Sequence, residues 1–133
     1  MKRIAALCYA IISLAVIAFQ LALAGGAPWG EYAMGGAFPG QFPPALRVGA
    51  LVQAVLLLAM AAVVLARAGV ILPGWLRASR WLIWLVVAFA ALSLVLNLIT
   101  PSAGELAIWA PTAFLMLVSS GIVAFTSFSE RVT

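Results

Sequence analysis

The chain has 133 residues, of which 67% are hydrophobic and only 8% are charged. A water-soluble fold of this size leaves too much surface exposed to hide so much apolar area, so the composition indicates an integral membrane protein. The formal net charge is +4, but the basic residues lie at the ends of apolar runs, which is typical of a topology signal. We therefore expect membrane lipids as neighbours and no nucleic acid as a partner.

Four apolar runs, at residues 4–24, 46–67, 80–99 and 106–126, are each about 20 residues long. A helix of that length rises about 30 Å, the thickness of a bilayer core. Only a short polar turn separates the last two runs, so the fourth must re-enter the membrane from the side on which the third leaves it. The sequence predicts one all-α domain over residues 1–133, an integral membrane four-helix bundle of two antiparallel hairpins.

The first run follows the basic pair Lys2 and Arg3 and ends in small residues at Ala24, a pattern that is typical of a secretory signal peptide. Its apolar part of about 21 residues is longer than a signal core of about 7–15 residues. We therefore expect a retained first helix, with cleavage as the alternative.

The basic residues predict the orientation, because an excess of Lys and Arg marks cytoplasmic loops. With the N-terminus in the cytoplasm, Arg47 is the only basic residue on the outer side. We therefore expect a multi-pass protein of the cell membrane with both termini, including the polar tail at 127–133, in the cytoplasm. The residues predicted on the inner side are Lys2, Arg3, Arg67, Arg77, Arg80 and Arg131.

The outer loop, residues 25–45, is rich in glycine and proline, which do not form a continuous helix. It is long for a connection in so small a protein. Its aromatic residues, Trp29, Tyr32, Phe38 and Phe42, favour packing against the protein. We expect an ordered cap over the outer end of the bundle, and an inner loop at 68–79 that turns at Pro73 and Gly74.

In the first, third and fourth spans the polar residues are separated by four or seven positions, which places them on one helix face, and in the second span Gln53 shares a face with Met60. Gln20, Gln53, Asn97 and Thr112 lie roughly 6–10 Å inside the predicted outer boundary. We expect one polar layer beneath the cap, with Asn97 within hydrogen-bonding reach of Gln20 or Gln53, and a dry apolar plug in the inner half. The alternative is that these groups bond to one another across helices and bind nothing.

Three charged residues, Glu31, Arg47 and Glu105, belong to the outer side. Ser102 and Glu105 have the spacing of a capping box, in which Ser102 accepts a hydrogen bond from the Glu105 amide and the carboxylate reaches back to the Ser102 amide. Arg47 either extends to a lipid headgroup or pairs with Glu31 or Glu105, which would make a ligand site.

A pocket in this region would be walled by the polar layer and closed by the outer loop. Trp29 and Trp109 would lie at its mouth, either as interface anchors or as stacking rings. The candidate ligand-binding residues are Gln20, Trp29, Glu31, Tyr32, Arg47, Gln53, Asn97, Glu105, Trp109 and Thr112.

The chemistry of these residues favours binding. The chain has no His and no Asp, and Cys8 lies in the first span, so we predict no catalytic centre, metal or cofactor. A proton-coupled transporter needs an ionisable group at depth, and the first span has Gln20 but no carboxylate. The sequence predicts an outward-facing pocket for an amphiphilic small molecule or lipid, with a carrier or transporter as its extension. The alternative is an accessory subunit of a homo-oligomer or a larger membrane complex.

Overall fold

The computed structural model describes the backbone of residues 1–132 and the side chains of residues 1–128. It contains four α-helices: α1 (Lys2–Ala24), α2 (Pro44–Arg67), α3 (Leu76–Leu98) and α4 (Ala103–Val132). No β-strand occurs in residues 1–132, so the all-helical part of the prediction is confirmed.

All four helices are long and apolar enough to cross a membrane. Only 17% to 39% of the residues in the apolar part of each helix are buried inside the protein. Most of the apolar side chains therefore face outward, as they do when the solvent is lipid. This arrangement indicates a multi-pass membrane protein.

Two helices extend beyond the predicted spans. α3 begins at Leu76 and includes Arg77 and Arg80 in its first turns, and α4 continues to Val132 through most of the residues predicted as a polar tail. A helix does not have to end where the hydrocarbon ends, because its backbone groups stay paired in water as well. The predicted inner residue Arg131 lies outside the residues whose side chains are described.

The larger cluster of buried residues joins the first halves of α1 and α3 mainly to the second halves of α2 and α4. Ala5 and Ala6 on α1 pack in one cluster with Val64 on α2 and Val123 on α4, and all four are almost fully buried. At the same end, the Arg3 guanidinium donates a hydrogen bond to the Gly69 carbonyl oxygen at 3.3 Å. Small side chains let the helices approach closely here.

Residues 25–43, which we call the cap segment, connect α1 to α2 and form an ordered structure. The segment contains two short 3₁₀ helices, Gly30–Tyr32 and Met34–Gly36. Its two arms are joined where the Gly30 amide donates to the Gly40 carbonyl oxygen at 2.9 Å. The arms are so close that a Cβ atom on Gly30 would overlap the carbonyl oxygen of Phe38. Only glycine fits at this position.

We predict that Gly30→Ala destabilises the protein by about 1–3 kcal/mol, because the added methyl group forces the two arms of the cap segment apart. The control is Gly121→Ala in α4, where an added Cβ meets nothing within 4 Å and alanine favours the helix by about 1 kcal/mol. Thermal unfolding in one detergent measures both. Equal melting temperatures for the two variants would contradict the close packing of the cap segment.

Candidate functional site

A cavity of about 450 Å³ lies between the four helices and beneath the cap segment. Pockets for small molecules commonly have volumes of about 300–1,000 Å³, so this one is large enough to hold a ligand. All four helices and the cap segment contribute to the lining, which consists of Tyr9, Val16, Phe19, Gln20, Tyr32, Ala33, Met34, Phe42, Leu46, Gly49, Ala50, Gln53, Leu57, Phe89, Ala90, Ser93, Asn97, Glu105, Trp109, Thr112, Ala113 and Met116.

The structure brings most of the predicted ligand-binding residues together around this cavity. The three that do not line it, Trp29, Glu31 and Arg47, belong to the cap segment and the start of α2. The predicted residues that do line it are Gln20, Tyr32, Gln53, Asn97, Glu105, Trp109 and Thr112.

The polar side chains of the lining do not bond to one another across the helices. The Asn97 side-chain amide donates to the Ser93 carbonyl oxygen of its own helix at 2.7 Å, so the predicted bond to Gln20 or Gln53 is not formed. Thr112 likewise donates within α4, to Ile108 at 2.7 Å. Each of these polar groups therefore either bonds to its own helix or faces the cavity.

Two side chains at the start of α4 hold the cap segment in place. The Glu105 carboxylate accepts a hydrogen bond from the Gly35 amide at 2.8 Å, and the Ser102 hydroxyl donates to the Glu31 carbonyl oxygen at 2.7 Å. Gly35 has a φ of 68°, a left-handed conformation that glycine adopts without strain. The cap segment is thus fastened to α4, seventy residues further along the chain.

The predicted capping box forms only in part. The Glu105 amide donates to the Ser102 hydroxyl at 3.2 Å, as predicted. The carboxylate does not reach back to the Ser102 amide, which donates to the Thr100 hydroxyl at 3.3 Å instead. The left-handed turn at Gly35 presents an amide to the carboxylate, and that amide takes the place of the helix's own donor.

Aromatic rings form the upper wall of the cavity. The Trp109 indole donates to the Tyr32 carbonyl oxygen at 2.8 Å, and its ring lies 4.7 Å from that of Phe19, centroid to centroid. Phe19 also stacks on Trp29, with 6.3 Å between centroids. The Tyr32 ring lies so close to Gly104 that a Cβ atom there would overlap it. Trp109 therefore belongs to the lining of the site.

Arg47 does not form the ion pair that would have made it part of a ligand site. Its Nε donates to the Phe42 carbonyl oxygen at 2.9 Å, and its Nη2 donates to the Gln41 side chain at 3.4 Å. These local bonds join the end of the cap segment to the first turns of α2, and Glu105 bonds elsewhere. The predicted pairing of Arg47 with Glu31 or Glu105 is wrong for the residues that the structure describes.

Tyr9, which the sequence analysis did not select, lies at the deep end of the cavity. Its side chain is fully buried. Its hydroxyl and that of Ser13, one turn along α1, are near each other but form no hydrogen bond of good geometry. The inner half of the bundle is therefore not a dry plug throughout, because the cavity reaches past the middle of α1. The spacing of four and seven residues from Tyr9 through Ser13 to Gln20 was the signal that could have identified it.

The electrostatics of the cavity depend on one group. Glu105 is the only charged residue in the lining, and it is only 8% exposed. It lies in the first turn of α4, where the positive end of the helix dipole favours a carboxylate. The remaining polar groups of the lining are neutral amides, hydroxyls and the Trp109 indole, so the lining combines a single carboxylate with neutral hydrogen-bonding groups.

Comparison with other proteins gives no further assignment. No family model matches the chain, and no curated protein or solved structure is significantly similar to it.

We predict that Ser102→Ala destabilises the protein by about 1–2 kcal/mol, because it removes a helix cap and a bond to the cap segment. The control is Ser119→Ala, since Ser119 bonds only to Leu115 of its own helix at 2.7 Å and such bonds add little stability. Hydrogen exchange of the cap segment gives the more specific measurement. Exchange should become faster in Ser102→Ala and stay unchanged in Ser119→Ala, and equal exchange in both would show that Ser102 does not hold the cap segment.

Proposed function

We propose that the protein is a four-span protein of the cell membrane that binds an amphiphilic small molecule or lipid in the cavity beneath the cap segment. The observation that carries this proposal is the shape and chemistry of the cavity. Its upper end combines Glu105 with the amides of Gln20, Gln53 and Asn97. Its deeper walls are mostly apolar, so a molecule with a polar head and an apolar body would match both parts.

In this proposal the helices form two antiparallel hairpins, with both termini in the cytoplasm. The contact between Arg3 and Gly69 supports the first hairpin, because it joins the start of α1 to the residues that follow α2. The distribution of Lys and Arg supports the orientation. The cap segment and the mouth of the cavity then face the outside of the cell.

The role that follows is binding without catalysis, with delivery or transport of the ligand as an extension. The competing role is that of an accessory subunit, in a homo-oligomer or a larger membrane complex, which needs surface for its partner but no internal space. A cavity lined by all four helices supports the binding role, because interior space without an occupant forfeits packing contacts.

The orientation predicts which loops are accessible from outside the cell. After replacement of the native Cys8 by serine, a single cysteine at Ala37 in the cap segment should react with a membrane-impermeant maleimide in intact cells. A single cysteine at Ala78, at the start of α3, should react only after the cells are opened. The reverse pattern would contradict the proposed orientation and with it the outward-facing cavity.

Filling the cavity should abolish ligand binding. Ala90 lines the cavity and is 3% exposed, whereas Ala88 on the same helix is exposed, so Ala90→Leu occupies the space and Ala88→Leu does not. Native mass spectrometry of protein extracted with its surrounding lipid should detect a bound small molecule on the unmodified protein and on Ala88→Leu, but not on Ala90→Leu. Ligand at a hundred times its Kd stabilises a protein by about 2.7 kcal/mol. Added ligand should therefore raise the melting temperature of the unmodified protein and of Ala88→Leu, but not that of Ala90→Leu.

If the unmodified protein carried no bound molecule and Ala90→Leu simply melted at a higher temperature, the cavity would be a packing defect. The accessory role would then be the better account.

A further inference from the structure

Glu105 lines the cavity, and no basic side chain within residues 1–128 forms an ion pair with its carboxylate. One of its oxygens accepts from the Gly35 amide, which stabilises the charge without neutralising it. Arg47, the basic residue at the start of α2, bonds to Phe42 and Gln41 instead. A buried charge is costly unless an opposite charge or several hydrogen bonds accompany it, so a ligand that brings a positive charge would complete the site.

Aromatic residues line the cavity together with this carboxylate. Tyr32 packs against Gly104, the residue before Glu105 in the chain. Trp109 follows one turn later on the same face of α4, in contact with Phe19. The faces of aromatic rings attract cations, most strongly where water is excluded, and clusters of such rings recognise alkylated ammonium groups.

The neutral polar groups of the lining are compatible with the same ligand. The side chains of Gln20 and Gln53 face the cavity and make no hydrogen bond within residues 1–128, so their carbonyl oxygens can accept from a charged donor. A carboxylate or phosphate head would instead meet the charge of Glu105 as a repulsion.

We infer that the ligand is an elongated amphiphile with a cationic head, an ammonium group or a comparable organic cation, held between the Glu105 carboxylate and the rings of Tyr32 and Trp109. This inference rests on the proposed function, since it names the class of molecule that the same cavity accepts. The apolar body extends toward Tyr9. From Gln20 to Tyr9 the cavity follows α1 for roughly 16 Å, at 1.5 Å per residue.

The test compares three probes with one chain length and different heads: dodecylammonium, dodecanol and dodecanoate. The protein is placed in nanodiscs of phosphatidylcholine, which has no net charge, and empty nanodiscs measure the partitioning of each probe into lipid. Affinities are obtained by titration calorimetry for the unmodified protein, Glu105→Gln and Glu31→Gln. The last variant makes the same change in net charge at an exposed side chain outside the cavity lining.

The unmodified protein should bind dodecylammonium at least about tenfold more tightly than dodecanol, because a charge-assisted bond is worth more than a neutral one, and dodecanoate most weakly. Glu105→Gln should lose most of that preference and keep its affinity for dodecanol, while Glu31→Gln behaves as the unmodified protein does. If Glu105→Gln does not fold, the order of the three probes on the unmodified protein decides alone.

Equal binding of dodecylammonium and dodecanol by the unmodified protein, or tighter binding of dodecanoate, would overturn the inference and leave the amphiphile cavity standing. An unchanged preference in Glu105→Gln would also overturn it, because the selectivity would then arise elsewhere. Failure of all three probes to bind above the empty nanodiscs would contradict the proposed function itself.

Discussion

The site depends on the docking of the cap segment onto α4, and above all on the bond between the Glu105 carboxylate and the Gly35 amide at 2.8 Å. Irregular backbone leaves amides and carbonyl oxygens without the regular partners of a helix, so they need other hydrogen-bond partners where they are buried. Here the partners are side chains at 102, 105 and 109, which lie on one face at the start of α4 because they are three and four positions apart. The same bonds that satisfy the cap segment therefore give the cavity its upper wall.

This docking explains how a cavity persists in so small a bundle. At the end where Ala5 and Val64 pack, small residues let the helices meet closely. At the opposite end the ring of Phe19 on α1 contacts that of Trp109 on α4, with 4.7 Å between the centroids, and both rings line the cavity. The side-chain amide of Asn97 donates a hydrogen bond within its own helix, and that of Gln53 faces the cavity. These polar side chains therefore line the cavity and do not join one helix to another within residues 1–128.

Much of this arrangement could be predicted from the sequence, and the remainder has identifiable reasons. The four helices follow from the length of the apolar runs. The helix face and the depth of Gln20, Gln53, Asn97 and Thr112 predicted a common polar layer, and all four line the cavity. The partner of Glu105 could not be predicted, because the left-handed turn that presents the Gly35 amide depends on contacts distant in sequence. Tyr9 lies within the first apolar run, where composition alone does not distinguish it, although its hydroxyl makes it amphipathic. Of the two alternatives for Arg47, the pairing with a carboxylate does not form, because charge alone does not show which nearby carbonyl oxygen is within reach.

The most direct test of this account is a crystal structure grown from a lipidic mesophase after extraction of the protein with its own lipids. The account predicts the cap segment bonded to α4 through Glu105, and non-protein density that begins at this carboxylate and extends between the helices toward Tyr9. A structure in which the cap segment is detached, or in which the helices close on one another and leave no space beneath it, would contradict the account.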